Sequence, residues 1–336
     1  MFVTEHPAPY WDEAFVHLSE YCDLRVVYVQ RFVKSKPWKN YNFFNGIFYN
    51  ETLKLISCLF SANHVIVGGY YRKELVYILI MAILFFKKIS LFSDVQHNKH
   101  RNVFKRFLRK ILFSRYSYFF ISGEKGIEFF KKTYKIPSRK LIYLPYAYTH
   151  PSTIDLEQNN SFSKLSILIS SRFVERKGHM TLVRALEKCS KSTLNTCHFT
   201  FIGEGKLKKE VDYKLSCVEG LSYEMLGWVN IDSYKKQITK NNVLIHPSIF
   251  EPFGIPVIDA MNRGLIVIAS SGVMSAYDFI KDGVNGYIYN NSSFIDLTKK
   301  IEYIAKNKNK LKEISKKARN TIPRYKYFIK KAVEKL

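Results

Sequence analysis

The chain has 336 residues, 47% of them apolar and 24% charged, which excludes wholesale disorder. At roughly 150 residues per domain, that length points to two globular domains. Lys and Arg outnumber Asp and Glu by 53 to 28, a formal charge of +25 that favours an anionic partner: nucleic acid, anionic lipid or a phosphorylated substrate.

The N-terminal stretch MFVTEHPAPYWDE lacks the basic flank and long apolar core of a signal peptide. The cysteines, Cys22, Cys58, Cys189, Cys197 and Cys217, form no C-x-x-C pair, so they read as reduced thiols of a cytoplasmic protein. β-Branched and aromatic runs predict strands near 25–29, 64–68, 89–93 and 118–122, with helices between them. The longest apolar run, Leu75 to Phe86, falls short of the roughly 18 residues that span a bilayer and reads as a buried helix, leaving any membrane association peripheral. Residues 99–115 pattern differently. Apolar pairs Val103-Phe104, Phe107-Leu108 and Ile111-Leu112 alternate with Lys105-Arg106 and Arg109-Lys110, separating an apolar stripe from a basic one. Such a helix either docks on an anionic membrane surface or packs its apolar stripe on its own sheet and leaves the basic one in solvent.

A strand entering LIYLPYAYTHPST, residues 141–153, runs into a Pro-containing polar stretch that marks a domain boundary near 150. Beyond it, strands near 166–170, 199–203, 223–227, 243–246, 265–269 and 286–289 alternate with helices near 178–190, 206–217, 231–239, 255–263, 275–281 and 294–306. Both halves therefore read as α/β, doubly wound parallel sheets covered on both faces: domains 1–150 and 151–323, with a terminal helix over 324–336.

Open parallel sheets bind ligands beyond the carboxyl ends of their strands, so the loops there carry the candidates. SILIS is followed by SRFVERKGH, in which Arg172 and Lys177 bracket a strand-to-helix turn; two such cations suit a diphosphate or are merely solvated. Gly203 and Gly205, in FIGEG, permit either a close approach to a ligand or a plain tight turn. The segment HPSIFEPFGIPVIDAMNRGLIVIAS, residues 246–270, places Glu251 in a loop and Gly254-Ile255-Pro256 at a helix start, a ready phosphate site. Asp259, eight positions after Glu251, falls in the first turn of that helix. There it either joins Glu251 in accepting hydrogen bonds from vicinal sugar hydroxyls or stabilises the helix dipole. Glu251, flanked by Phe250, Pro252 and Phe253, is costly to bury without a partner. In the first half, Asp94 and His97 follow the strand at 89–93 and are either cleft residues or ordinary loop polarity.

Taken in order, R-x-x-x-x-K-G, G-E-G, L-G-W-V, H-P-S-x-x-E-P-F-G-x-x-x-x-D-A-M and G-V-N-G cover residues 165–290. This set resembles the donor domain of the family 4 retaining glycosyltransferases. The resemblance implies a GT-B fold, two Rossmann-like domains facing a cleft, with an acceptor-side first domain, a donor-binding second domain and a terminal helix crossing back to the first. It implies a nucleotide diphosphate sugar donor of UDP or GDP type, with Arg172 and Lys177 on the diphosphate, Glu251 on the transferred sugar and Asp259 on the ribose. Leu226-Gly227-Trp228-Val229 would lie near the base, and Gly203, Gly205, Phe253, Gly254 and Ile255 would complete the donor pocket. A hexose would pass with retention to a glycan or lipid-linked acceptor in cell-surface polysaccharide synthesis, on the cytoplasmic face of the membrane. No cofactor is implied, and without a D-x-D no divalent metal is needed to explain stabilisation of the leaving group.

The sequence departs from the family at Asp259, where a glutamate is usual, at Ser171 and Ile266, and at Gly272-Val273-Met274-Ser275. That last stretch replaces a Gly-Gly loop, leaving backbone N–H groups to serve the distal phosphate. The rival readings are a sugar-nucleotide epimerase or glycosyl phosphorylase, a catalytically inactive scaffold of the same fold, and a basic nucleic-acid-binding protein. The last explains the charge but not the ordered motif, so no nucleic acid is expected as a partner.

Overall fold

In the computed structural model the described residues are 1–30, 44–69, 72–95, 103–147, 164–322 and 325–335. His97 lies outside them, and the side chains of Lys105 and Arg106 lie outside what is described of their helix. The chain divides into two compact units, Met1–Thr149 with Arg324–Leu336, and His150–Pro323.

The first unit runs β1 (Phe2–Thr4), α1 (Pro9–Ser19), β2 (Val26–Tyr28), β3 (Ile47–Phe48), α2 (Thr52–Ser61), β4 (His64–Val67), α3 (Lys73–Leu84), β5 (Lys88–Ser93), α4 (Val103–Ser114), β6 (Tyr118–Ile121), α5 (Glu124–Tyr134) and β7 (Leu141–Tyr143). Its seven strands are all parallel, in the order β3-β2-β1-β4-β5-β6-β7. Side chains alternate along each strand, so Val3, Val65, Val67, Leu91, Phe119 and Ile121 form a core with helices α2 to α5 on one face. Phe2 and Phe92 point the other way and meet Trp11 of α1 at ring-centroid distances of 5.1 and 4.9 Å. The direction of chain travel explains the split. Crossovers moving from β3 toward β7 place their helices on one face and the reverse move places α1 on the other, because parallel crossovers are right-handed.

The second unit runs β8 (Leu165–Ser170), α6 (His179–Glu187), α7 (Lys191–Asn195), β9 (Cys197–Ile202), α8 (Lys208–Ser216), β10 (Tyr223–Gly227), α9 (Ile231–Lys240), β11 (Val243–His246), α10 (Ile255–Asn262), β12 (Ile266–Ser270), α11 (Met274–Phe279), β13 (Tyr287–Tyr289), α12 (Phe294–Lys306) and α13 (Lys308–Thr321). Its strands are also all parallel, in the order β10-β9-β8-β11-β12-β13. Ile167, Phe199, Ile245 and Ile268 lie on the face covered by α6, α8 and α12, and all are fully buried. Both units are thus doubly wound Rossmann-like domains. The last helix, α14 (Tyr325–Val333), packs against α1 and β7 of the first unit, with Phe328 on Tyr143 at 5.5 Å and Lys326 on Glu20 at 2.6 Å.

The buried helix expected over Leu75–Phe86 is only half buried. Leu75, Ile78, Leu79 and Ala82 face the sheet, whereas Tyr77, Ile80, Ile83 and Leu84 are exposed. The helix lies in the outermost layer, where no other described residue covers its far side, so an apolar run all round it does not mean burial all round. On α4, Phe113 is buried, but Phe107, Leu108 and Ile111 are exposed. Half-buried Arg109 is turned inward, donating from Nη1 to the Tyr134 hydroxyl at 3.4 Å. Among the described residues no helix is long and apolar enough to cross a membrane.

Ile329 of α14 is fully buried in the first unit. Ile329→Ala should therefore destabilise that unit by about 2–4 kcal/mol through a cavity. Amide exchange would show lost protection in α1 and β7 with the second unit unchanged.

Candidate active site

The strand order of the second sheet reverses direction between β8 and β11: the chain leaves β8 toward β9 and leaves β11 toward β12. The two following loops therefore diverge to opposite faces and leave a crevice between their strand ends, where doubly wound sheets bind ligands. Arg172 and Lys177 follow β8, and Glu251 follows β11.

What brings the two loops together is a backbone contact. Gly178 has φ of +68°, and a Cβ there would collide with the Pro247 carbonyl. The neighbouring Arg176 carbonyl accepts from the Ile249 N–H at 2.8 Å. Because Gly178 has no side chain, the K-G turn lies flush on the H-P-S turn. Lys177 and Glu251 then meet as an ion pair from positions 74 residues apart, with side chains 11% and 14% exposed.

His246, fully buried at the end of β11, places Nε2 3.7 Å from the same Glu251 oxygen. Burial alone would raise the Glu251 carboxyl. The His246 imidazole and the Lys177 ammonium outweigh it and hold the group down at about 2. Burial lowers Lys177, an effect that Glu251 opposes and the charges of Arg176 and Arg172 reinforce. Burial likewise lowers His246. His179, stacked on Phe173 at 4.2 Å, is pushed down to about 3, chiefly by burial. The site is therefore a desolvated pocket holding one paired cation and one paired anion, walled by neutral imidazoles.

A second zip joins the loops after β11 and β12. Glu251 N–H donates to Gly272 O at 2.8 Å, Met274 N–H to Glu251 O at 3.1 Å and Ser275 N–H to Phe253 O at 2.8 Å. Gly272 N–H binds Ser270 Oγ at 3.1 Å and Val273 N–H binds Ser270 O at 3.1 Å. The expectation that backbone N–H groups of Gly272 to Ser275 remain for a phosphate is thus corrected: all four are committed. The available donors are one loop earlier. Gly254, with φ of +104°, opens α10, and among the described residues the N–H groups of Gly254 and Ile255 meet no acceptor.

Asp259 is likewise corrected. It is the fifth residue of α10 rather than part of its first turn, and it is 4% exposed. One oxygen accepts from the Tyr234 hydroxyl of α9 at 3.3 Å, and its charge acts on Arg263. The carboxylates of Glu251 and Asp259 thus have separate partners.

Gly203 and Gly205 are accounted for without a ligand, since a Cβ on either would strike the carbonyl of Ser171 or Phe173. Gly227 is buried beside the Glu204–Lys208 pair, Trp228 is 42% exposed, Val229 is half-buried and Phe253 is buried. Arg172 is exposed and, among the described residues, makes no ion pair. In the first unit Asp94 follows β5 and accepts from Ser122 Oγ at 2.9 Å. Reading the sequence missed His246, Tyr234 and the reason for Gly178. The available signal was Glu251 itself, an acid among apolar residues that has to find partners.

With this geometry in place, comparison with known proteins is direct. Residues 153–321 match the family described as glycosyl transferases group 1, and the chain belongs to that family. Among curated proteins it is similar to a Campylobacter jejuni α-1,4-N-acetyl-D-galactosaminyltransferase whose name specifies a diNAcBac-PP-undecaprenol-linked acceptor. The two are 25% identical over 215 residues, 64% of this chain and 57% of that protein. An uncharacterised glycosyltransferase of Methanocaldococcus jannaschii is 34% identical over 128 residues, 36% of this chain and 30% of its own length. The matches thus span from under a third to just over half of those relatives. Among solved structures, Anabaena HepE in complex with UDP and glucose superposes with a TM-score of 0.69 at 16% identity, covering 95% of this chain and 93% of that one. A glycosyltransferase from Rickettsia africae gives 0.70 at 15% identity, covering 99% and 97%. The fold is GT-B.

Two tests follow from the clamp and the pair it assembles. Gly178→Ala puts a Cβ against a carbonyl at positive φ and should cost about 3 kcal/mol or more, read as a lowered urea midpoint. The Glu251 carboxyl lies below its unfolded value of about 4.3, so its stabilisation is complete above that pH and is lost as pH falls through about 2. The stability gap between wild type and Glu251→Gln should therefore be constant at neutral pH and narrow across that acid window.

Proposed function

We propose that the chain transfers a hexose from a nucleotide diphosphate sugar of UDP or GDP type to a glycan or lipid-linked acceptor, with retention of configuration. The setting we assign is cell-surface polysaccharide synthesis on the cytoplasmic face of the membrane. The observation that carries this reading is the buried Lys177–Glu251 pair at the switch point of the second sheet, beside the unfilled N–H groups that open α10.

On this reading the second domain holds the donor. The diphosphate lies against Lys177, Arg172 and the start of α10, three sources of positive potential of which Lys177 and the helix start are fixed before the substrate arrives. Arg172 reaches the ligand without breaking an existing ion pair. Glu251 accepts from hydroxyls of the transferred sugar with the lone pairs Lys177 leaves unused. Asp259 faces the ribose with the acceptor capacity that Tyr234 leaves, and the exposed Trp228 indole offers a face to the base. As the bond from the anomeric carbon to the diphosphate breaks, charge grows on the phosphate oxygens, and the prearranged cations stabilise it most at that moment.

The first domain then serves the acceptor, with Asp94 at the carboxyl ends of β5 and β6 as its candidate polar group. The Campylobacter jejuni relative's named undecaprenol-linked acceptor supports a lipid-linked substrate, and HepE, solved with UDP and glucose, supports the donor class. Exposed Lys110 of α4 supplies charge toward an anionic leaflet, with Arg109 shared with Tyr134.

Titration calorimetry with nucleoside diphosphates and their sugars tests the assignment. Arg172→Ala should weaken diphosphate binding about tenfold or more. Glu251→Gln should keep most of the bare nucleoside diphosphate affinity yet cut turnover of the full donor by a factor of roughly 100. Asp259→Asn should lose nucleotide affinity first. Equal loss of bare nucleotide binding in the two carboxylate variants would reject this division of roles, and no nucleotide binding at all would reject the function.

A further inference from the structure

We infer that the outer face of the α2–α3–α4 layer inserts into an anionic lipid bilayer, with α2 and α3 supplying most of the inserted apolar surface and α4 sharing the charge. This deepens the membrane-docking reading above by moving the insertion surface beyond the basic helix, and it needs nothing from the donor chemistry.

The sheet order places α3 between α2 and α4 on one face, and the end of α3 is tied to α2 by the Phe85 ring, tilted against Phe60 at a centroid distance of 4.4 Å. Across this layer large apolar side chains face outward: Leu53 is 85% exposed, Phe60 60%, Leu84 62% and Phe107 58%. Along α3 the spacing Tyr77, Ile80, Leu84 repeats at helical intervals, so the exposed set is a continuous stripe rather than scattered residues. Contiguous apolar surface of this kind marks an interaction site.

Phe86 adds an independent observation. It has φ of +53°, a left-handed position after a helix where glycine is favoured, and the residue is 97% exposed. Neither backbone geometry nor internal packing accounts for a phenylalanine there.

Charge selects the partner. From Glu51 to Glu124 the sequence holds twelve Lys or Arg and four acids, Glu51, Glu74, Asp94 and Glu124, and Glu51 is paired with Lys54 at 2.6 Å. Glu74 is bound by Arg72 at 3.4 Å and Asp94 accepts from Ser122 at 2.9 Å. A second copy of the chain would set this net positive segment against itself. An anionic leaflet neutralises it, while the apolar stripe enters the boundary between headgroups and acyl chains.

The experiment is co-sedimentation of the full chain with vesicles of phosphatidylcholine alone or mixed with phosphatidylglycerol, at low and high salt. Wild type should bind the anionic vesicles and keep part of that binding at high salt, because salt screens charge and not apolar insertion. The combined variant Ile80→Gln, Leu84→Gln, Phe86→Gly should lose about tenfold or more in vesicle affinity, most visibly at high salt, with Tm undiminished and UDP affinity unchanged. Phe86→Gly alone should lower vesicle affinity without lowering Tm. Lys110→Gln should weaken binding at low salt only. The inference is overturned if wild type binds no vesicles, if salt removes all of its binding, or if the combined variant binds like wild type. It is also overturned if that variant's only effect is loss of a dimer in sedimentation velocity. Because UDP affinity is measured on the same samples, failure of the donor reading and failure of this one are separable.

Discussion

The close approach of Gly178 to the Pro247 carbonyl is the constraint on which the second domain's site depends. Two loops that diverge to opposite faces of a sheet have no inherent reason to touch. Here one backbone lies directly on another, and the Arg176 carbonyl seals the contact by accepting from Ile249. Only then do an ammonium and a carboxylate from distant segments share a pocket from which water is largely excluded. A buried ion pair is not in itself a source of stability, since desolvation offsets much of its attraction. Its value at this place is that both charges stay in fixed positions before any ligand arrives.

The same economy of backbone runs through the neighbouring loops. The segment after β12 spends the N–H groups of Gly272 and Val273 on Ser270 at its own strand end and those of Met274 and Ser275 on the loop after β11, which removes it as an anion binder. Anion capacity is left to the start of α10 and to two cations of different character. Lys177 is buried and already partnered, whereas Arg172 is exposed and without an ion partner among the described residues. One defines where negative charge belongs, and the other is placed to follow a ligand in.

Much of this was legible in the sequence because parallel sheets print their strands as short β-branched runs with turn residues between them. The strands SILIS, VLIH and IVIAS and the helix start at Gly254-Ile255-Pro256 appear within a residue or so of their expected places. Three features were not legible. The opening strand, Phe2–Thr4, is too short to show alternation, and its strand state comes from neighbours on both sides. The partners of Glu251 and Asp259, His246 and Tyr234, are fixed by register and helix packing rather than by local spacing. The half-exposure of α3 depends on what lies beyond the helix, and composition carries no information about that. An apolar run announces what avoids water in isolation, not whether the fold supplies enough neighbours to cover it.

The return of α14 to the first domain has a consequence for the order in which the molecule can be completed during synthesis. The helix that packs on α1 and β7 is encoded after the whole second domain. A nascent chain can finish the sheet of the second domain while the first still lacks its last helix, with Glu20 of the α1 end and the edge at Tyr143 waiting for Lys326 and Phe328. The domain made first is thus the domain finished last. Emerging ribosomal chains of this protein would carry an open flank on their oldest part until residues 325–333 leave the ribosome.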